Sequence, residues 1–143
     1  MKTIFKIILF SNLVVSQGWY NHPELDWQTI ETEHFFIHYH TETKRSAEEA
    51  AAVAEKIYKP VTSFYDFEPD TKTHLIIEDV DDISNGAAYY YDNKILIWAL
   101  PLDFDLRGSH RWLNNVITHE FTHIVQIGAA MKYPRRFPAS FIQ

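Results

Sequence analysis

The segment NNVITHEFTHIVQIG, residues 114–128, places imidazole and carboxylate side chains within an otherwise apolar helical pattern. The apolar residues recur at the three- and four-residue spacing of a helix that packs against a core. Imidazole and carboxylate side chains are costly to bury unless they are paired or bind a metal. The segment therefore predicts a buried helix that presents His119, Glu120 and His123 on its inner side, where they hold a metal ion.

The spacing of the three polar residues suits a catalytic zinc ion. His119 and His123 lie one helical turn apart, so their imidazoles can bind one ion at Zn–N distances of about 2.0–2.1 Å. Glu120 points about 100° around the helix from His119, which places it beside a water molecule rather than on the ion. Zinc lowers the pKa of that water towards about 7, and a glutamate can accept its proton as the water attacks a polarised carbonyl. Glu120 is therefore predicted as the catalytic base.

An alternative interpretation of the same segment is a partly exposed helix whose three polar residues form its solvent-exposed face. The rest of the helix argues against it, because the flanking positions are apolar and predict burial. Those positions are Trp112, Leu113, Val116, Ile117, Phe121, Ile124 and Val125.

A catalytic zinc also needs a third protein ligand and one open position. No aspartate, glutamate or histidine follows the second histidine of the motif, so we expect the third ligand beyond Gln143. The weaker candidates within the chain are Tyr133, His110 and the histidines His34, His38 and His40. The last three form a second metal patch in one interpretation. In the favoured one they are the solvent face of an edge strand.

Composition excludes several other classes of site. The 143 residues include no cysteine, so disulfides, thiolate zinc sites and cysteine nucleophiles are absent. The formal charge of -6 argues against a nucleic-acid partner, which requires a basic surface. Lys132, Arg135 and Arg136 form the one basic group that stands out, and we interpret them as a solvated turn. Imidazole and carboxylate ligands in this arrangement favour Zn²⁺ over other divalent ions.

The first 17 residues, MKTIFKIILFSNLVVSQ, have the pattern of a secretory signal peptide. Lys2 and Lys6 precede an apolar run at 7–15, which is shorter than the about 20 residues needed to span a bilayer. We expect cleavage between Ser16 and Gly18 and export to the periplasm, cell envelope or medium. A buried first strand or a retained anchor is the alternative.

The remaining pattern predicts an α+β fold, a mixed small β-sheet packed on an active-site helix and an Ala-rich helix. Strands are expected at 29–40, 73–79 and 94–100, with Phe35, Ile37 and Tyr39 on one face of the first. The stretch between the last two is interpreted as a loop that turns at Asn85-Gly86.

Two helices complete the prediction. The Ala-rich helix at 43–65 is expected to be capped by Thr43 or Ser46, to bury a stripe that reaches Phe64, and to kink or break at Pro60. The histidine helix is expected to run from a cap at Ser109 to about Ile127, with Gly128 just past its end.

NNVITHEFTHIVQ resembles the active-site helix of the gluzincin, or peptidase-MA-like, zinc metallopeptidases. The order of TEHFFIHYH, an Ala-rich helix, HLIIEDVDD and NGAAYYYDNKILIWALP before it is similar to the N-terminal half of such domains. The resemblance covers about residues 27–126. It implies a zincin-like fold in which His119 and His123 bind Zn²⁺ and Glu120 is the base.

The resemblance also implies a substrate-binding edge strand at 85–97, with Gly86, Ala87 and Ala88 nearest the substrate backbone. An ordinary aromatic loop explains AAYYYD equally well. Gluzincins take their third ligand, a glutamate, from a following helix, which is missing from this sequence. Residues 18–143 are therefore expected to be the N-terminal portion of an incomplete domain. In some relatives a further domain follows the peptidase domain.

The function expected from these features is a secreted zinc-dependent peptidase that acts on peptides or proteins. The alternative is a catalytically inactive, peptidase-like interaction domain, which the missing third ligand favours. A zinc hydrolase of a non-peptide amide would use the same three residues, and the sequence does not separate it from a peptidase.

Overall fold

A computed structural model of the chain describes residues 22–80, 84–100 and 111–132. Within these ranges the strands are β1 (Trp27–Glu31), β2 (Phe35–His40), β3 (Thr73–Glu78), β4 (Gly86–Tyr89) and β5 (Lys94–Trp98). The α-helices of the same ranges are α1 (Lys44–Tyr65) and α2 (Trp112–Lys132). Short 3-10 turns lie at Thr41–Thr43 and Tyr90–Asp92.

The strands form one mixed sheet in the order β1-β2-β3-β5-β4. β2, β3 and β5 run parallel at its centre, and the outer strands β1 and β4 are antiparallel to their neighbours. Helix α1 provides the crossover between the parallel strands β2 and β3, which a tight turn cannot connect. This arrangement confirms the predicted α+β class and the mixed sheet.

Both helices pack against one face of the sheet and against each other. Alternate residues of the three parallel strands point into this layer and are fully buried, as are the alanines on the inner side of α1. Phe121 of α2 lies in the middle, with its ring 5.2 Å from that of Phe35 and 5.7 Å from that of Tyr58. The buried strand residues of this core are Phe35, Ile37, Tyr39, Leu75, Ile77, Ile95 and Ile97.

The expected single strand at 29–40 is wrong, because the chain reverses within it and forms the β1–β2 hairpin. Thr32 closes the reversal: its backbone N–H donates to the carbonyl of Phe35, and its hydroxyl bonds to the backbone of the same residue. The predicted burial of Phe35, Ile37 and Tyr39 on one face is nevertheless confirmed. β2 is an inner strand of the sheet, so its histidines do not lie on an edge.

Helix α1 follows the predicted bounds, but three details differ. The helix continues through Pro60 without interruption, and Phe64 is 80% exposed rather than part of the buried stripe. Thr43 occupies the N-cap position without a side-chain capping bond. Its hydroxyl donates instead to the carbonyl of His40, which fastens the start of α1 to the end of β2.

The expected loop between β3 and β5 contains strand β4, so only part of that segment is irregular. The turn into β5 lies at Asn93, in the left-handed conformation with φ 46°, and not at Asn85-Gly86. The Asn93 amide donates to the carbonyls of Thr71 and Lys72, which secures the turn against the start of β3.

Helix α2 also runs further than predicted, to Lys132, so Gly128 lies inside it and is not a terminal residue. The Phe67 ring occupies the space beside Gly128, where an added Cβ would lie 2.3 Å from Cε1 of that ring. A side contact, rather than helix termination, therefore explains the glycine.

Several predictions fall outside the described residues: the signal peptide at 1–17, the cap at Ser109, and the residues His110, Tyr133, Arg135 and Arg136. Lys132 is described and is exposed in the last turn of α2. Neither described helix combines the length and apolar character needed to cross a membrane.

Candidate metal centre

The polar residues of the HExxH motif lie on two sides of α2. Glu120 faces the sheet and is 8% exposed, among the apolar residues that α2 contributes to the core. His119 is exposed and His123 is half-buried, so the expectation that both histidines are buried is wrong. The helix therefore carries an imidazole pair at the surface and a carboxylate beneath it.

We call His119 and His123 the helix histidine pair. Their Nε2 atoms lie 3.0 Å apart, and their rings are nearly perpendicular, at 88°, with centroids separated by 4.6 Å. Two ligands of a tetrahedral zinc at about 2.0–2.1 Å are roughly 3.3 Å apart, so a shift of a few tenths of an ångström suffices. The donor atoms and their spacing thus fit a zinc ion, which requires both Nε2 atoms to be free of protons.

Gly86 brings the edge strand β4 directly over Glu120. A Cβ added at Gly86 would lie 2.4 Å from Cγ2 of Val116, 2.9 Å from Cγ of Glu120 and 3.1 Å from its Oε1. Contacts this short mean that any larger residue at Gly86 would displace the Val116 and Glu120 side chains, so glycine favours the approach. The structure thereby brings the predicted base and the first predicted substrate-binding residue into contact. Ala87 and Ala88 follow along the same half-buried edge strand.

Two open clefts meet at His119. One, of about 310 Å³, lies between α2 and the start of β4 and is lined by Asn85, Gly86, Trp112, Asn115, Val116, His119 and Glu120. The other, of about 520 Å³, follows the outer side of α2 past both histidines. His119 and Asn115 line both clefts, so a ligand that bridges them passes over the first histidine of the motif.

The first cleft combines apolar and polar walls. Trp112 and Val116 provide its apolar side, and the amides of Asn85 and Asn115 flank the opening. The Trp112 indole N–H donates to the carbonyl of Trp98 at 2.8 Å, which fixes the ring against the end of β5.

Within residues 22–80, 84–100 and 111–132, no group of three ligating side chains includes the helix histidine pair. The described structure therefore offers two candidate ligands here, the helix histidine pair. The candidates His110 and Tyr133 lie outside the described residues, and the expectation of a third ligand beyond Gln143 remains a prediction.

The three strand histidines do not form the metal patch considered for them. His34 Nδ1–H donates to the Glu55 carboxylate of α1 at 2.7 Å, and the His34 ring stacks on Tyr58 with centroids 3.6 Å apart. His38 Nε2 lies 2.8 Å from Nδ1 of His74 on the neighbouring strand β3. His40 is 1% exposed, with Trp27 edge-on to its ring. Each histidine thus has a different environment, and one of them is not on the solvent side at all.

Glu55 and His74 are polar partners that the sequence analysis missed. Burial pushes the pKa of Glu55 upward, but hydrogen bonds from Thr32 and His34 outweigh it and leave the pKa below its ordinary value. Glu33, His34 and Glu55 come close enough to bind an ion, yet the bonds between His34 and Glu55 already account for their positions. No local sequence signal pairs residues 21 positions apart.

Comparison with known proteins leaves the family open. A scan against protein-family models finds no match, and a search of curated proteins finds none either. The resemblance to gluzincins therefore depends on the motif and on the order of the elements.

Proposed function

We propose that this chain is part of a zinc-dependent peptidase with a zincin-like fold, in which α2 is the active-site helix. The observation that supports it best is the convergence of the His119 and His123 Nε2 atoms beside a buried Glu120. The contact between Glu120 and the edge strand β4 adds to it, because a peptide bound along that edge would cross the carboxylate.

In this proposal each residue has a separate task. A zinc ion held by His119 and His123 would acidify a water molecule and polarise the scissile carbonyl. Glu120 accepts a proton from the attacking water and later passes it to the leaving nitrogen. The burial of Glu120 limits its contact with bulk water, which strengthens its interactions with charge in the site. Gly86, Ala87 and Ala88 offer backbone hydrogen bonds to an extended substrate.

The proposed substrate is a peptide or protein, and the proposed location is outside the cytoplasm, in keeping with the N-terminal signal-peptide pattern. A non-peptide amide would meet the same three residues. The two substrate classes differ in whether β4 is used, because only an extended backbone can pair with it.

The test compares the natural full-length gene product with its Glu120→Gln variant. We expect equal zinc content in both, and cleavage of an unstructured protein substrate that is about 10²- to 10⁴-fold slower in the variant, the usual contribution of a general acid–base. Glu49→Gln, an exposed position of α1, is the matched control and should cleave at the rate of the unmodified protein. Equal cleavage by all three proteins would rule out Glu120 as the base.

A second candidate is an inactive interaction domain that keeps the peptidase fold. It is favoured by the described structure, in which the helix histidine pair has no third ligating neighbour. Binding of a peptide to a zinc-loaded protein that never cleaves it, with Glu120→Gln making no difference, would support this candidate over the first.

A further inference from the structure

The outer face of the sheet, opposite the helices, carries a second pair of histidines that the proposed reaction does not use. His38 of β2 and His74 of β3, the sheet histidine pair, have Nε2 and Nδ1 only 2.8 Å apart. On the other side of the same ring, His38 Nδ1 lies 2.9 Å from the hydroxyl of Thr29 on β1. Three side chains therefore connect three adjacent strands.

The geometry identifies the contact as a hydrogen bond along the ring edges rather than a stack. The two ring planes differ by only 8°, and the centroids are 5.1 Å apart. The nitrogen–nitrogen distance of 2.8 Å is shorter than the about 3.5 Å at which stacked ring atoms touch, so the rings lie nearly in one plane. One nitrogen must then carry the proton and the other must accept it.

Such a contact accepts one proton but not two. With a single extra proton, an imidazolium can still donate to a neutral imidazole, and the bond becomes charge-assisted. When both rings are protonated, two N–H groups and two positive charges face each other at hydrogen-bond distance. The contact must then break, because neither ring retains an acceptor.

The surroundings offer little compensation for a second charge. On this face, Glu31 pairs with Lys72 at 2.6 Å, and Asp92 pairs with Lys94 at 3.1 Å, so both carboxylates are already engaged. His40 on β2, Glu78 on β3 and Tyr89 on β4 are the other titratable groups of this face in the described strands. Burial lowers the pKa of His38, and the nearby His74 imidazole lowers it further.

We propose that Thr29, His38 and His74 form an acid-sensitive latch, which holds β1, β2 and β3 together at neutral pH and opens when both imidazoles are protonated. An unfolded histidine titrates near pH 6.5, whereas His38 in the folded protein binds its proton at lower pH. Its contribution to stability is thus complete above about pH 6.5 and is lost as the pH falls below that value.

The first test is direct detection of the bond by NMR. In protein labelled with ¹⁵N in its histidine rings, scalar coupling between His38 Nε2 and His74 Nδ1 across the hydrogen bond should be visible at pH 7.5. It should vanish at pH 5. Absence of the coupling at pH 7.5, or its persistence in acid, overturns the proposal.

The second test is thermal unfolding of His74→Asn at pH 7.5 and pH 5.5. The asparagine amide oxygen can replace Nδ1 as an acceptor but does not take up a proton, so the latch should stay closed in acid. We expect the acid-induced fall in Tm to be smaller than in the unmodified protein by at least about 3 °C. His38→Gln, which keeps a donor near the Nε2 position, should act in the same way and serves if the first variant folds poorly.

The control is His22→Asn, which removes a half-buried histidine that pairs with Glu24 and lies outside the sheet. Its acid-induced fall in Tm should equal that of the unmodified protein. An equal fall in all variants would show that other groups cause the acid sensitivity and would refute the latch.

Discussion

The helix histidine pair and the sheet histidine pair have similar nitrogen–nitrogen distances, 3.0 and 2.8 Å, but opposite geometry. On α2 the rings are nearly perpendicular, and the two atoms in contact are Nε2 of each ring. On the sheet the rings are nearly coplanar, and Nε2 of one ring faces Nδ1 of the other. Distance alone therefore does not distinguish a metal ligand pair from a pair that shares a proton.

The orientation of the lone pairs makes the distinction. Two nitrogens that face each other in line would need a gap of roughly 4 Å to hold a zinc ion between them, twice the about 2.0–2.1 Å bond length. The sheet pair is much closer than that, and its strands are held in register by the backbone ladder. The helix pair requires only small side-chain rotations. We therefore expect zinc at the first pair and a shared proton at the second.

The largest effect that sharpens this comparison is on metal affinity. In the natural full-length gene product, His123→Ala should weaken zinc binding by more than about 100-fold, beyond the usual effect of changing an outer-shell residue. His74→Ala should leave zinc affinity unchanged, because its ring is committed to His38. Competition with a chelator measures both. Equal losses at the two positions would break the comparison.

A smaller effect is expected from enlarging Gly86, where β4 approaches the helix histidine pair: both the stability and the activity should fall. Gly86→Ala should cost about 1–3 kcal/mol in the free energy of unfolding, because the new methyl group overlaps Val116 and Glu120. Urea denaturation measures that loss. Ala54→Gly is the control: it removes a buried methyl group from α1, away from the helix histidine pair, and should cost about 1–2 kcal/mol without reducing the activity of the folded protein.

Removal of single histidines should separate the two pairs by stability at neutral pH. His38→Ala should cost about 1–2 kcal/mol, because it leaves the Thr29 and His74 partners without their hydrogen bonds. His119→Ala should change the free energy of unfolding by less than about 0.5 kcal/mol in metal-free protein, since its side chain is exposed. Urea denaturation at pH 7.5 in the presence of a chelator tests both.

The smallest expected effect is on the free energy of unfolding at acidic pH. The pKa of Glu55 is lowered in the fold, so its stabilising contribution is present above the unfolded value of about 4.5 and is lost as the pH falls through the folded value. Glu55→Gln should cost about 1 kcal/mol at pH 7, and the difference from the unmodified protein should shrink below about pH 4. This range lies below that of the sheet pair, so a pH series of unfolding curves resolves the two.

Much of this structure follows from local pattern. The heptad-like apolar spacing of α2 and the alanine content of α1 are sufficient to place both helices, and alternation places the buried face of β2. The hairpin at Thr32 escaped detection because the reversal contains no glycine, proline or asparagine, and the four polar residues at 31–34 are its main sequence signal. A threonine that hydrogen-bonds the local backbone is a weak signal in sequence.

The candidate functional residues also separate into those that local sequence brings together and those that only the tertiary fold brings together. The helix histidine pair and Glu120 lie within five consecutive residues, so helical periodicity alone brings them together. His74 is 36 residues from His38, and only the parallel register of β2 and β3 makes them neighbours. The extension of α2 past Gly128 was missed for the same reason, because Phe67, the residue that fills the space beside that glycine, is remote in sequence.

The contact of Phe67 with Gly128 has a mechanical consequence for the other end of α2. The Phe67 ring fills the space beside Gly128, so translation of α2 along its axis, or rotation about that axis, would bring the ring into contact with neighbouring side chains. Phe67 lies two residues after the end of α1, so the segment that follows the Ala-rich helix restricts movement of the histidine helix. The alignment of His119 and Glu120 with the edge strand is thus set partly by an aromatic side chain two turns away.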